Sequence, residues 1–191
     1  MSDSEQVAHS LQGKLLIGTP MVSGSLFDQS VIYLFAHDAE GAMGLIVNRP
    51  LEHVGPDRIL EQFDLTPEHG ILNMPVHMGG PVEPNRGFVL HTRDYEDGTA
   101  LVNNDIFSVT SHVSILKDIA NGNGPKKAMF ALGYSGWAAG QLESEIESGS
   151  WIVVPASEAL VFDQDNEEKW VTSSHSLGFD LDRLSTTVGH A

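Results

Sequence analysis

Cysteine is absent from this 191-residue sequence. That absence removes disulfides, thiolate metal sites and cysteine nucleophiles together, and it is compatible with a reducing cytosol. Cations are scarce too: ten Lys and Arg stand against 26 Asp and Glu, giving a formal net charge of −16. An acidic surface repels phosphate backbones, and affinity for nucleic acid depends on Lys and Arg displacing counterions, so direct binding of nucleic acid is not expected. The imbalance is steepest from Glu143 to Glu168, where eight carboxylates occur without a Lys or Arg. No apolar run approaches the roughly 18 residues a spanning helix needs, and residues 1–10 lack the cationic start and apolar stretch of a signal peptide. These readings point to a cytoplasmic protein without membrane association. Also missing are H-E-x-x-H, a phosphate loop ending in Gly-Lys-Ser/Thr, and the Gly-x-Gly-x-x-Gly fingerprint. Neither a compact zinc site nor an ordinary nucleotide site follows from the remaining pattern, and no cofactor or metal ion is expected.

What is present suits one domain with an ordinary apolar core and many tight turns, the latter signalled by 19 glycines. The expected layout is a flexible tail over 1–12, a single domain over 13–184 and a second flexible tail over 185–191. Lys14 to Ile17, Val31 to Phe35 and Ala42 to Val47 read as strands. The second and third are expected to pair as a hairpin through His37-Asp38-Ala39-Glu40-Gly41. Ile59, Leu60 and Phe63 predict a short helix after Pro56, while Val76 to Met78 and Gly87 to His91 predict strands. Further short strands are expected near Leu101 and Phe107. A helix from about Ser111 should bury Val113, Leu116, Ile119 and Ala120 and stop at Asn121-Gly122-Asn123-Gly124-Pro125. Trp151 to Val154 reads as a strand. Asp165 and Glu168 resemble a capping box, before a helical stripe of Trp170, Val171, Ser174 and Leu177 ended by Gly178. Many strands with a few interspersed helices indicate α+β with a largely antiparallel sheet.

The most informative segment runs from Leu132 to Glu143. An apolar strand, Ala128 to Leu132, leads into Gly133-Tyr134-Ser135-Gly136-Trp137, and a helix is expected from Gly140-Gln141. This is the context of a nucleophile elbow, but Trp137 stands where the elbow needs its last glycine, so a nucleophilic Ser135 is disfavoured. The plainer reading is a tight strand-to-helix crossing with Trp137 packed in the core. Backbone N–H groups at the helix start offer an anion site, against self-capping in which Gln141 bonds back to the turn. Glu143 and Glu147 lie four apart, a spacing far more often found on a solvated face than at a metal. Lys126-Lys127, the one adjacent basic pair, reads as a solvated turn rather than a phosphate clamp. His91 at a strand end and His37 at a loop mouth are candidate bases, each more often structural. Met78-Gly79-Gly80-Pro81-Val82 makes a fixed bend, and Arg86 beside it either holds an anion or pairs with a neighbouring carboxylate.

Four motifs recur together in order: Gly13 to Pro20; Gly41 to Pro50; Gly79-Gly80-Pro81-Val82 with Arg86 to His91; and the Leu132 to Glu143 segment. Together they resemble the AlgH/YqgE family of bacterial proteins, over a stretch from about Gly13 to Leu177. The resemblance implies an α+β fold in which a mainly antiparallel bifurcated sheet folds into a pseudo-barrel with flanking helices. It also implies a bacterial cytosolic protein whose family carries a transcriptional-regulator label but no established reaction and no catalytic residue. Positions 77 and 135 vary in the family, whereas Asn48, Arg86, His91, Trp137, Gln141 and Glu143 fall inside its motifs. Those six are the expected ligand-binding residues of a regulatory or binding protein that recognises a small anionic ligand or a protein partner through a polar cleft. Two alternatives stand beside it. One is a hydrolase or other acid-base enzyme using Ser135 or His91 with Glu143; the other is a transcriptional regulator acting directly on DNA, which the charge opposes.

Overall fold

The computed structural model describes residues 9–68 and 73–178. The expected tails fall mostly outside this range, but Ser10 and Leu11 lie within it, bonded to the carbonyl and to Nδ1 of His37. Strands β1 (Lys14–Gly18), β2 (Val31–Asp38) and β3 (Gly41–Ile46) form an antiparallel run, joined on the far side of β1 by β9 (Trp151–Pro155). β2 and β3 make the expected hairpin, with a tighter connection. Asp38 pairs with Gly41, so only Ala39 and Glu40 remain in the turn.

The second branch contains β4 (Val76–Met78), β5 (Val82–Thr92), β6 (Ala100–Asn103) and β7 (Phe107–Thr110). Strand β8 (Ala128–Ala138) joins the two branches. Along one edge β8 pairs with β5. Along its other edge the first half pairs in parallel with β4, from Phe130 to Leu132, and the second half pairs antiparallel with β3, from Ser135 to Ala138. The sheet forks at this change of partner. Its order is β6-β7-β5-β8-β3-β2-β1-β9, with β4 beside β8, and the antiparallel surface curls into a half-barrel.

Here the strand-to-helix crossing expected at Gly133 is corrected: β8 continues past Gly133 for five more residues, to Ala138. Gly133 has φ +73° and lets the strand bend without reversing, while the backbone of the Gly79-Gly80 bend lies against it. A Cβ on Gly133 would sit 2.4 Å from the Gly80 carbonyl oxygen, and a Cβ on Gly80 would sit 2.1 Å from the Tyr134 carbonyl carbon. Two backbones meet without side chains between them, and this close approach is what the glycines serve.

Both faces of the curled sheet are covered, so its strands read as nearly continuous apolar runs. Leu15, Ile17, Tyr33, Phe88, Leu90, Phe107 and Met129 fill the concave side. On the convex side α1 (Pro56–Glu61) and α2 (Val113–Ala120) pack their Ile59, Leu60, Ile115 and Leu116 against Val89 and Phe130. The first branch is covered there by α3 (Gln141–Glu147), with Leu142 beside Trp137 and Trp151. Phe63 lies beyond the end of α1 and is exposed, contrary to its expected helical face.

The last helix, α4 (Asn166–His175), closes the concave side, with Trp170 inserted into the inner core and its indole N–H donating to the Gly18 carbonyl at 2.8 Å. Its buried stripe is Lys169, Trp170, Ser173 and Ser174; Val171 and Leu177, expected on that stripe, are exposed. The expected capping box is not formed. Asp165 occupies the cap position without a side-chain bond, and Glu168 instead accepts from the Gln164 amide.

Candidate functional site

Three of the six sequence-selected residues gather around α3. Trp137 is buried and its indole N–H donates to Glu145 at 2.9 Å; the same carboxylate oxygen accepts from the Trp151 indole at 2.8 Å. Gln141 bonds back to the Ala138 N–H and donates to Glu145, as the self-capping alternative anticipated. Glu143 lies 2.5 Å from His37 Nε2, which holds its carboxyl below the usual range. Glu145 and His37 thus take up the polar groups that were expected to face a ligand. Helix α3 has only seven residues, its N-cap Gly140 makes no side-chain cap bond, and the Gln141 side chain is committed to Ala138 and Glu145.

The other three lie elsewhere. Asn48 holds the chain where β2 begins, accepting from the Val31 N–H and donating to the Gln29 carbonyl, each at 2.9 Å. Arg86 is partly exposed, pairs with Glu83 at 3.3 Å and stacks over Phe88 at 4.8 Å. His91 is buried, bonded to the Thr92 carbonyl and to the Thr110 hydroxyl, each at 2.9 Å; burial pushes its pKa down. Ser135 Oγ, also buried, donates to the Gly79 carbonyl at 3.2 Å, and no histidine among the described residues bonds to it. The serine-histidine-glutamate arrangement is not assembled, because each group is committed to a different partner.

The structure instead concentrates unusual chemistry at the sheet fork. Just past β3 the chain runs antiparallel to β4, with a bridge between Pro50 and His77. Helix α4 lies across this place and sends Lys169 inward, where its Nζ donates to the Val47 carbonyl at 2.7 Å and to Asn166 Oδ1 at 2.9 Å. His77 Nε2 lies 3.0 Å from the same Asn166 oxygen. The three side chains line a cleft of about 290 Å³, with Lys126, Lys127, Asp163 and Asp165 among its other walls. Lys127 is tied to Glu158 at 2.9 Å and to Asp163 at 2.5 Å.

The two buried titratable groups of the cleft are strongly perturbed. Lys169 is 2% exposed and makes no salt bridge among the described residues. Loss of hydration drives its pKa down to about 8. His77 is fully buried, and its pKa falls to about 4; burial is the largest cause, the bond to Asn166 opposes it and the charge of Lys169 adds to it. A buried ammonium without a counter-ion is expensive to keep, and perturbed groups of this kind in a cleft mark candidate binding or reaction sites. Three of the chain's ten basic residues line this one cleft. The sequence marked Lys126-Lys127 only as a solvated basic pair and did not single out Lys169. Lys169 follows two glutamates on a helix whose buried stripe is otherwise Trp and Ser, so it reads as a solvated charge. The one available signal is the spacing of Asn166, Lys169 and Ser173, which share a helical face.

Known proteins resemble the chain along nearly its whole length. A UPF0301 protein of Afipia carboxidovorans is 44% identical over 190 residues, covering 95% of this chain and 90% of the relative. A UPF0301 protein of Jannaschia sp. is 44% identical over 187 residues, covering 97% of each. The solution structure of the AlgH protein from Pseudomonas aeruginosa superposes with a TM-score of 0.77 at 36% identity, covering all of both chains. A crystal structure from Corynebacterium diphtheriae shares the fold at TM-score 0.71 and 19% identity, over 97% of this chain and 95% of the other. The AlgH-like family model matches residues 15–182, and the chain therefore belongs to the AlgH-like, UPF0301 family.

Proposed function

We propose that this protein is a non-enzymatic regulatory or binding protein that recognises a small anion in the cleft at the sheet fork. Uncompensated burial of Lys169 carries the reading. Among the described residues its ammonium has two neutral carbonyl-type acceptors and no carboxylate, which leaves one N–H and most of a unit charge unmatched. An arriving carboxylate or phosphate oxygen would supply the missing counter-charge in a place where water screens it poorly. Asn166, whose Nδ2 finds no acceptor among the described residues, offers a second donor. The ion pairs of Lys127 hold one wall of the cleft in place. Regulation through such a ligand also suits an acidic chain better than direct contact with DNA does. A bacterial cytosolic setting is part of the proposal, supported by the absence of cysteine and by the bacterial relatives.

Thermal unfolding of the wild type and of Lys169→Met against small carboxylates and phosphate, at constant ionic strength, tests the proposal. A ligand at about one hundred times its Kd stabilises the wild type by about 2.7 kcal/mol. The Met variant, folded but without the cation, is expected to show no such gain. Equal responses from both proteins, or none from the wild type, would remove the site.

A further inference from the structure

Hydrogen bonding at the fork fixes the state of His77, and with it the kind of anion the cleft accepts. An ammonium only donates, so the Asn166 atom 2.9 Å from Lys169 Nζ is the amide oxygen. That oxygen is also the atom 3.0 Å from His77 Nε2, and an oxygen without hydrogen can only accept. Nε2 therefore carries the imidazole proton. With the ring neutral, as its lowered pKa requires at neutral pH, Nδ1 is left as a bare lone pair. Nδ1 is buried and has no hydrogen-bond partner among the described residues; the Pro75 carbonyl, which favours the protonated ring, offers an oxygen and no hydrogen to the neutral one. Buried polar atoms are nearly always satisfied, so an acceptor left open on a cleft-lining side chain beside an unmatched cation points to a ligand that brings a hydrogen.

We infer that the ligand of this cleft is a small anion carrying its own O–H, a hydroxy-carboxylate or hydrogen phosphate. One of its oxygens accepts from Lys169, and its hydroxyl donates to His77 Nδ1. This rests on the anion-binding reading and deepens it. Anions without a hydroxyl, such as acetate and sulfate, satisfy the lysine and leave His77 open.

Calorimetric titration of the full chain at pH 7 and constant ionic strength, with glycolate against acetate and phosphate against sulfate, separates the possibilities. In at least one pair the hydroxylated member is expected to bind the wild type about tenfold more tightly, the scale of one buried hydrogen bond. Which pair responds tells hydroxy-carboxylate from phosphate. In His77→Phe the preference is expected to shrink to about twofold or less while weaker anion binding persists. Equal affinities within both pairs, or a preference that survives in His77→Phe, overturn the inference and leave the anion site standing. Absence of binding by all four probes overturns the site as well. If His77→Phe does not fold, nitrogen NMR of the wild-type imidazole decides instead: a proton on Nε2 and none on Nδ1 agrees with the inference, and a proton on Nδ1 refutes it.

Discussion

At the scale of single residues, the fork places two groups whose protonation works against folding. Lys169 has a folded pKa of about 8 against an ordinary 10.5, so its charged form is disfavoured in the native state. The gap corresponds to about 3 kcal/mol. That penalty is fully present below pH 8 and fades between pH 8 and 10.5, where the unfolded chain still binds the proton and the native chain does not. Lys169→Met is therefore expected to be about 1 to 2 kcal/mol more stable than the wild type at pH 7, after the hydrogen bonds to Val47 and Asn166 are lost. Urea titrations should show this advantage shrinking steadily above pH 8; an advantage independent of pH would contradict the burial of a charged amine. His77 behaves with the same sign at lower pH. Its folded pKa of about 4 lies below the ordinary 6.5, so stability falls as pH drops from 6.5 towards 4 while the unfolded imidazole takes up its proton. Replacing His77 with Gln should flatten that acid limb by about 3 kcal/mol, leaving the smaller loss due to His91.

At the scale of elements, β8 and α4 decide where the site lies. Glycines such as Gly133 were legible as special backbone positions, but whether they turn a chain or admit a neighbour depends on what packs beside them. Gly133 and Gly98 have similar φ, +73° and +79°, yet a Cβ meets the Gly80 carbonyl oxygen at 2.4 Å in the first case and open space in the second. Gly98→Ala is expected to lose about 1 kcal/mol from backbone strain alone, and Gly133→Ala several, because two strands must separate. Chemical denaturation of the two variants checks the difference; comparable losses would mean that the fork tolerates spreading. Helix α4 was legible as a helix, and its inward face only in part. Trp170 and Ser174 lie on the expected stripe and are buried, but Lys169 and Ser173 beside them carry no apolar signal, and the apolar Val171 and Leu177 are exposed.

The whole molecule is a forked, curled sheet filled from its concave side by a C-terminal helix, under a net charge of −16. Among the described residues no helix is long and apolar enough to cross a membrane. So large a negative charge predicts no sequence-specific DNA complex in a mobility-shift assay at about 0.1 M salt, where few exposed cations are available to displace counterions. A tight complex weakened steeply by added salt would reverse that expectation.

Composition and local pattern were sufficient for the α+β class, most strand positions and the β2-β3 hairpin, because these depend on residue type and near neighbours in the chain, while the resemblance of four ordered motifs pointed to the family. They also marked Trp137, Gln141 and Glu143 as neighbours, since all three lie within a few residues of one junction. Sequence order could not say that β4 wedges beside β8 at the fork, or that Lys169 crosses 122 positions of chain to reach the Val47 carbonyl. Nor could it say that His77 would share an acceptor with that lysine. A charge looks solvated in the sequence whatever surrounds it; only the tertiary packing of α4 over the fork removed the water and left the ammonium with two carbonyl-type acceptors and no counter-ion among the described residues.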